Sequence, residues 1–97
     1  MELIRDENVE DVTVDDSEYN VVMYNDDVTP FEYVIAVLHT LFGKNPNEGF
    51  QIALHIHQNG SAILLTTTMK EAYDKVEAVD EMNTQYGYLL QTNVEKA

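Results

Sequence analysis

The chain has 97 residues, enough for one small domain whose single core needs neither metal nor disulfide. It contains no cysteine, which excludes disulfides and thiolate zinc sites and suits a reducing compartment. Eighteen acids against five Lys and Arg give a net charge of -13, which repels phosphate backbones and favours basic or ammonium-bearing partners over nucleic acid.

No apolar segment approaches the roughly 18 residues of a membrane span. The N-terminal residues are acidic where a leader peptide would be basic and apolar. The expectation is a soluble, cytoplasmic protein with no membrane partner. Residues 1–18 hold eight acids and a single base, Arg5, without helical or strand periodicity, and read as a flexible acidic extension. Residues 19–97 read as the folded domain.

Tyr19 to Tyr24 has the β-branched and aromatic content of a strand. Asn25, Asp26 and Asp27 follow as a turn rich in acceptor oxygens. Thr29, Pro30 and Glu32 then spell a helix start: a hydroxyl to cap a backbone N–H, Pro at the first helical position, and a carboxylate to reach back. That helix is expected from Pro30 to Phe42, with Phe31, Val34, Leu38, Leu41 and Phe42 inward and Gly43 as its stop.

Asn45, Pro46 and Glu48 repeat the start device for a second helix running to about Gln58, ended by Gly60. Its apolar positions (Phe50, Ile52, Ala53, Leu54, Ile56) exceed one stripe and predict extensive burial. Ser61 to Thr68 reads as a second strand. Thr68 with Glu71 opens a third helix, whose inward positions are Met69, Ala72, Val76, Val79, Met82 and Tyr86. Gly87 closes it, and Leu89 to Val94 make a last strand. The order β-α-α-β-α-β predicts an α+β domain, a small three-stranded sheet covered by helices.

Little in the chain suggests catalysis. There is no cysteine or nucleophile elbow, and the only serines are Ser17 and Ser61. Adjacent Asp26 and Asp27 diverge in a turn, so a carboxylate dyad is not expected, nor is an enzyme. His55 and His57 point about 200° apart on a helix, unsuited to one metal, and with His39 they form no ligand pattern. No cofactor is expected. His57 lies on an apolar stripe, where it is either a core residue or an acceptor beside the acidic turn.

The second possibility describes a site for a cation next to an apolar hole. An α-amino group, mostly charged at neutral pH, would be held by Asp26, the Asn25 amide oxygen and His57 through charge-assisted hydrogen bonds. Phe31, Val34, Ala53, Ile56 and Leu89 would line a pocket for one large apolar side chain. Ammonium beside hydrophobe is the chemistry of a polypeptide's first residue.

The Asn-Asp-Asp-x-Thr-Pro string between strand and helix resembles the signature of the ClpS family, adaptors of the Clp protease. His57 with Gly60, the Leu89-Leu90 pair and the final Glu95-Lys96-Ala97 are similar as well. The likeness covers about residues 19 to 97, with an expected one-residue insertion near Gln91 to Val94. It implies three helices on a three-stranded antiparallel sheet. It also implies binding of proteins whose first residue is Leu, Phe, Tyr or Trp, and their delivery to a hexameric AAA+ unfoldase of ClpA or ClpC type. Carried over by position, Asn25, Asp26 and His57 would hold the α-amino group, with Asp27 supporting the turn. Thr29, Phe31, Val34, Ala53, Ile56 and Leu89 would form the side-chain pocket. The acidic extension would engage the unfoldase, and Lys70 and Lys75 would lie on the docking face.

Four positions depart from the family pattern. Phe31 stands where Met is usual, Ala53 where a larger apolar residue sits, Val28 for a frequent Tyr, and Lys70 where an acid is common. An alternative of another class is a structural interaction domain, because the ClpS fold is similar to that of a ribosomal stalk domain and fold does not fix function.

Overall fold

A computed structural model describes residues 17–97. The extension expected over residues 1–18 therefore lies outside the described residues, except Ser17 and Glu18. Six elements follow in the predicted order: β1 (Tyr19–Tyr24), α1 (Phe31–Phe42), α2 (Pro46–Asn59), β2 (Ser61–Thr67), α3 (Met69–Tyr86) and β3 (Thr92–Lys96). The sheet order is β2-β1-β3, with both pairings antiparallel. The fold class is thus α+β, three strands packed against three helices.

β1 is central because it is the most apolar strand. Val21, Val22 and Met23 are all buried, and Met23 joins the core with Val34, Val37, Leu38, Ala53, Ile56, Leu64, Val79 and Leu90. The β1–β2 register shifts between Val21, opposite Leu65, and Val22, opposite Ile63. Leu64 is the extra residue of this bulge and turns into the core, while Ile63 faces outward.

Helix stops follow the sequence. Gly43, Gly60 and Gly87 each adopt the left-handed conformation at a helix end, and each donates its N–H back into the last turn. Starts follow it less evenly. Asn45 and Glu48 form a complete reciprocal capping box around Pro46. Thr68 caps Glu71 N–H at 3.2 Å, but the Glu71 carboxylate accepts from the Thr67 hydroxyl at 2.5 Å, which leaves half a box. α1 departs furthest. It begins at Phe31 with Pro30 at the cap and no side-chain cap bond, because the Thr29 hydroxyl is donated to Asp26.

The buried faces also correct the periodic reading. α1 buries Tyr33, Val34, Val37 and Leu38; Phe31, Leu41 and Phe42 are only half-buried. Tyr33 turns inward because Asn83 accepts its hydroxyl at 2.8 Å. α2 is not extensively buried: Gly49, Ala53 and Ile56 make one narrow buried stripe, and Phe50 is exposed. The stripe is narrow because α2 packs chiefly against α1 and β2. On α3 the buried residues are Ala72, Val79 and Asn83, while Met69 and Tyr86 stand in solvent near its two ends. The last strand starts at Thr92 rather than Leu89, since the chain first inserts Leu90 into the core and gives the Gln91 carbonyl to Tyr24 N–H at 3.0 Å.

Candidate functional site

The exit of β1 is anchored at two points. Tyr24 N–H donates to the Gln91 carbonyl at 3.0 Å, and Asn25 N–H donates to the Gly60 carbonyl at 2.9 Å. The second bond draws the acidic turn against the end of α2, the helix that carries His57. Gly60 permits the approach, since its φ of 94° is costly for any residue with a Cβ.

Inside the turn, Asp26 is the organiser. Its carboxylate accepts from Val28 N–H at 2.9 Å and from the Thr29 hydroxyl at 2.5 Å. The Thr29 hydroxyl, and after it the Val28 N–H, hold the Asp26 carboxyl below the usual carboxylate range, against a small opposing effect of burial. Asp26 is therefore ionised at any pH near neutrality, and each oxygen keeps acceptor capacity beyond its one bond. Asn25 Nδ2 donates to Asp27 Oδ1 at 3.3 Å, which leaves the Asn25 amide oxygen as the group free to accept. Asp27 thus supports Asn25.

Beside the turn is a cavity of about 240 Å³. Asn25, Asp26, Asp27, Thr29 and His57 line its polar side; Phe31, Val34, Ala53 and Ile56 line its apolar side. The structure brings all nine of these predicted residues together. Leu89 is the exception: it is 83% exposed and lies outside the cavity, whose wall is made by Leu90, 3% exposed. Counting inward positions back from Val94 by twos gives Thr92 and then Leu90, a parity already present in the sequence. Met23, Tyr24 and Pro30 also line the cavity and were not among the residues expected there. The apolar run Val21–Met23 of β1 was the available signal for Met23.

His57 stands at the exposed rim. Its ring meets Phe31 edge-on with centroids 5.7 Å apart, and Phe31 meets Phe50 at 6.3 Å. The other histidines are elsewhere. His39 Nδ1 donates to the Lys44 carbonyl at 2.9 Å, and His55 Nδ1 accepts from Asn59 at 3.2 Å. Among the described residues no group of three or more His, Asp or Glu is placed to hold a metal ion.

Lys70 and Lys75 lie on α3, away from the cavity. Lys70 pairs with Asp74 at 2.9 Å in solvent, and that carboxylate holds the ammonium pKa above its usual value. Lys75 Nζ donates to the Leu41 carbonyl at 2.6 Å and sits 5.6 Å from the centre of the Phe42 ring, so it secures the C-terminus of α1.

A profile of the family described as "ATP-dependent Clp protease adaptor protein ClpS" matches residues 14–93. The chain belongs to the ClpS family. The ClpS adapter of Rhodospirillum centenum is 40% identical over 80 residues, covering 82% of this chain and 74% of that protein. The ClpS adapter of Caulobacter vibrioides is 38% identical over 80 residues, covering 82% and 73%. Among solved structures, Agrobacterium tumefaciens ClpS2 bound to L-phenylalaninamide matches with a TM-score of 0.80 and 27% identity, over 84% of this chain and 98% of that one. As a ClpS chain the protein is an adaptor and not an enzyme, and the family works with Clp unfoldases and their substrates.

Proposed function

We propose that this ClpS binds proteins whose first residue is Leu, Phe, Tyr or Trp and delivers them to a hexameric ClpA- or ClpC-type unfoldase for degradation. The free α-amino group of the client is held by Asp26, the Asn25 amide oxygen and His57, with Asp27 keeping Asn25 oriented. The client's first side chain enters the cavity between Thr29, Phe31, Val34, Ala53, Ile56 and Leu90.

One observation carries this reading: an ionised carboxylate with acceptor capacity left over stands at the edge of an apolar cavity. At about 240 Å³ the cavity falls below the ~300 Å³ at which small-molecule pockets begin. A single large apolar side chain fits within that volume. Burying a Leu or Phe there contributes about 1.5–3 kcal/mol. L-phenylalaninamide, the ligand of the similar Agrobacterium protein, has the same two parts, a free α-amino group beside one aromatic side chain.

Delivery draws on α3, where Lys70 and Lys75 offer the docking charges, and on the acidic extension of residues 1–18. Because Lys75 also secures α1, Lys70 is the cleaner probe of docking.

The test is a binding panel of short peptides that differ only at the first position. A peptide beginning with Phe or Leu should bind, and its N-acetylated form should lose about tenfold or more in affinity, the scale of one charge-assisted hydrogen bond. Equal binding of the two forms counts decisively against the reading and in favour of an interaction domain indifferent to chain ends.

A further inference from the structure

Asn83 lies on α3, outside the lining of the cavity, and only 7% of it is exposed. Besides Thr29 it is the buried polar residue among the described residues, and each of its polar atoms has a clear use. Its backbone oxygen accepts from Gly87 and Tyr88 N–H at 2.8 and 3.0 Å. Its Nδ2 donates to the Leu90 carbonyl at 2.8 Å, and its Oδ1 accepts from the Tyr33 hydroxyl at 2.8 Å.

One residue thus pins the irregular segment between α3 and β3 at its beginning and at Leu90, and ties both to α1. That segment has no strand ladder to hold it before Gln91. Leu90 is the residue of the segment that forms cavity wall. Tyr33 is also seated by ring contacts, 4.3 Å from Tyr88 and 6.3 Å from Tyr86 between centroids. Asn83 is therefore held from one side by a packed phenol and holds the wall on the other.

We propose that Asn83 is a positioning residue for first-residue selectivity: by fixing the Leu90 carbonyl it sets how much room the apolar end of the cavity offers. The inference rests on reading the cavity as the seat of a client's first side chain. The bond is buried and short, and it is the hydrogen bond that fixes the Leu90 carbonyl between the Tyr33–Tyr88 ring contact and the Gln91–Tyr24 bond, so its loss loosens Leu90. Leu90 then withdraws, and a small side chain such as Leu loses more contact than a large one such as Trp.

The experiment titrates peptides beginning with Leu or Trp, each free and N-acetylated, against the full chain, N83D, N83A, Y33F and N45A. N83D keeps an acceptor for Tyr33 but turns an acceptor instead of a donor toward the Leu90 carbonyl. In N83D the Leu-to-Trp affinity ratio should fall about fivefold, the scale of one net hydrogen bond, while the loss on acetylation stays as in the wild type. Y33F, which removes the support of Asn83 on its other side, should lower Tm and shift the ratio the same way by less, whereas N45A, at a helix cap remote from the cavity, should lower Tm and leave the ratio unchanged, which separates positioning from general stability. N83A carries the comparison if N83D does not fold. In an L90A background the effect of N83A on the ratio should vanish, because Asn83 acts through Leu90. An unchanged ratio in a folded Asn83 variant overturns the inference while leaving the function standing. Equal binding of free and acetylated peptides by the wild type overturns the function itself.

Discussion

Leu89 and Leu90 are neighbours of the same chemical type that face opposite ways, one in solvent and one in the cavity wall. Leu90→Ala should cost about 2–5 kcal/mol of stability and weaken peptide binding, whereas Leu89→Ala should stay within about 0.5 kcal/mol. Denaturant melts with a peptide titration of each variant check this, and equal effects would reassign the wall. Asp26 carries a different dependence. Asp26→Ala removes both the charge facing the amine and the bonds that shape the turn, so binding should fall about tenfold or more.

The pH behaviour follows from the same pair of groups. The folded Asp26 carboxyl is held low, so its stabilising bonds are fully present above the ordinary carboxylate value and are lost only as pH falls through the lower folded one. The limit on the basic side comes from the client. Its α-amino group gives up its proton near pH ~7.7–8.0, so affinity should decline from pH 7 to pH 9 for a free peptide. An acetylated peptide should show no such decline.

At the scale of elements, the joint between α1 and α2 controls where Ala53, Ile56 and His57 stand relative to Val34 and Phe31. It depends on Gly49, where an added Cβ would lie 3.2 Å from Ile35 Cγ2. Gly49→Val should push the helices apart and cost about 1–3 kcal/mol by overpacking, with peptide affinity falling alongside Tm. Asn45→Ala should cost about 1 kcal/mol through the lost cap and leave affinity unchanged, since the box lies at the end of α2 remote from His57. These two variants distinguish a joint that shapes the cavity from a cap that only stabilises its helix. Capping and stop residues act within four positions of one another, which is why nearly every helix boundary was legible in the sequence. Thr29 was not, because its hydroxyl had a charged competitor, Asp26, three residues upstream.

The whole molecule carries a charge of -13, opposite in sign to the amine it is proposed to hold. The association rate of a basic peptide should therefore fall as salt rises, while that of a neutral peptide with the same first residue changes less. Stopped-flow binding at low and high ionic strength reads this directly.

Element order, fold class and the acidic turn after β1 were decided locally, by short-range hydrogen bonds and periodicity, so the amino-acid order was enough to specify them. The faces were not. Tyr33 and Asn83 are inward only because each satisfies the other across fifty positions of chain. Phe50 and Tyr86 remain outward because no element among the described residues covers them, despite an apolar character that pointed inward. Burial is a property of what packs opposite, and a polar group enters a core only when a distant partner meets it there. The tertiary structure alone settled that pairing, and with it which leucine closes the cavity.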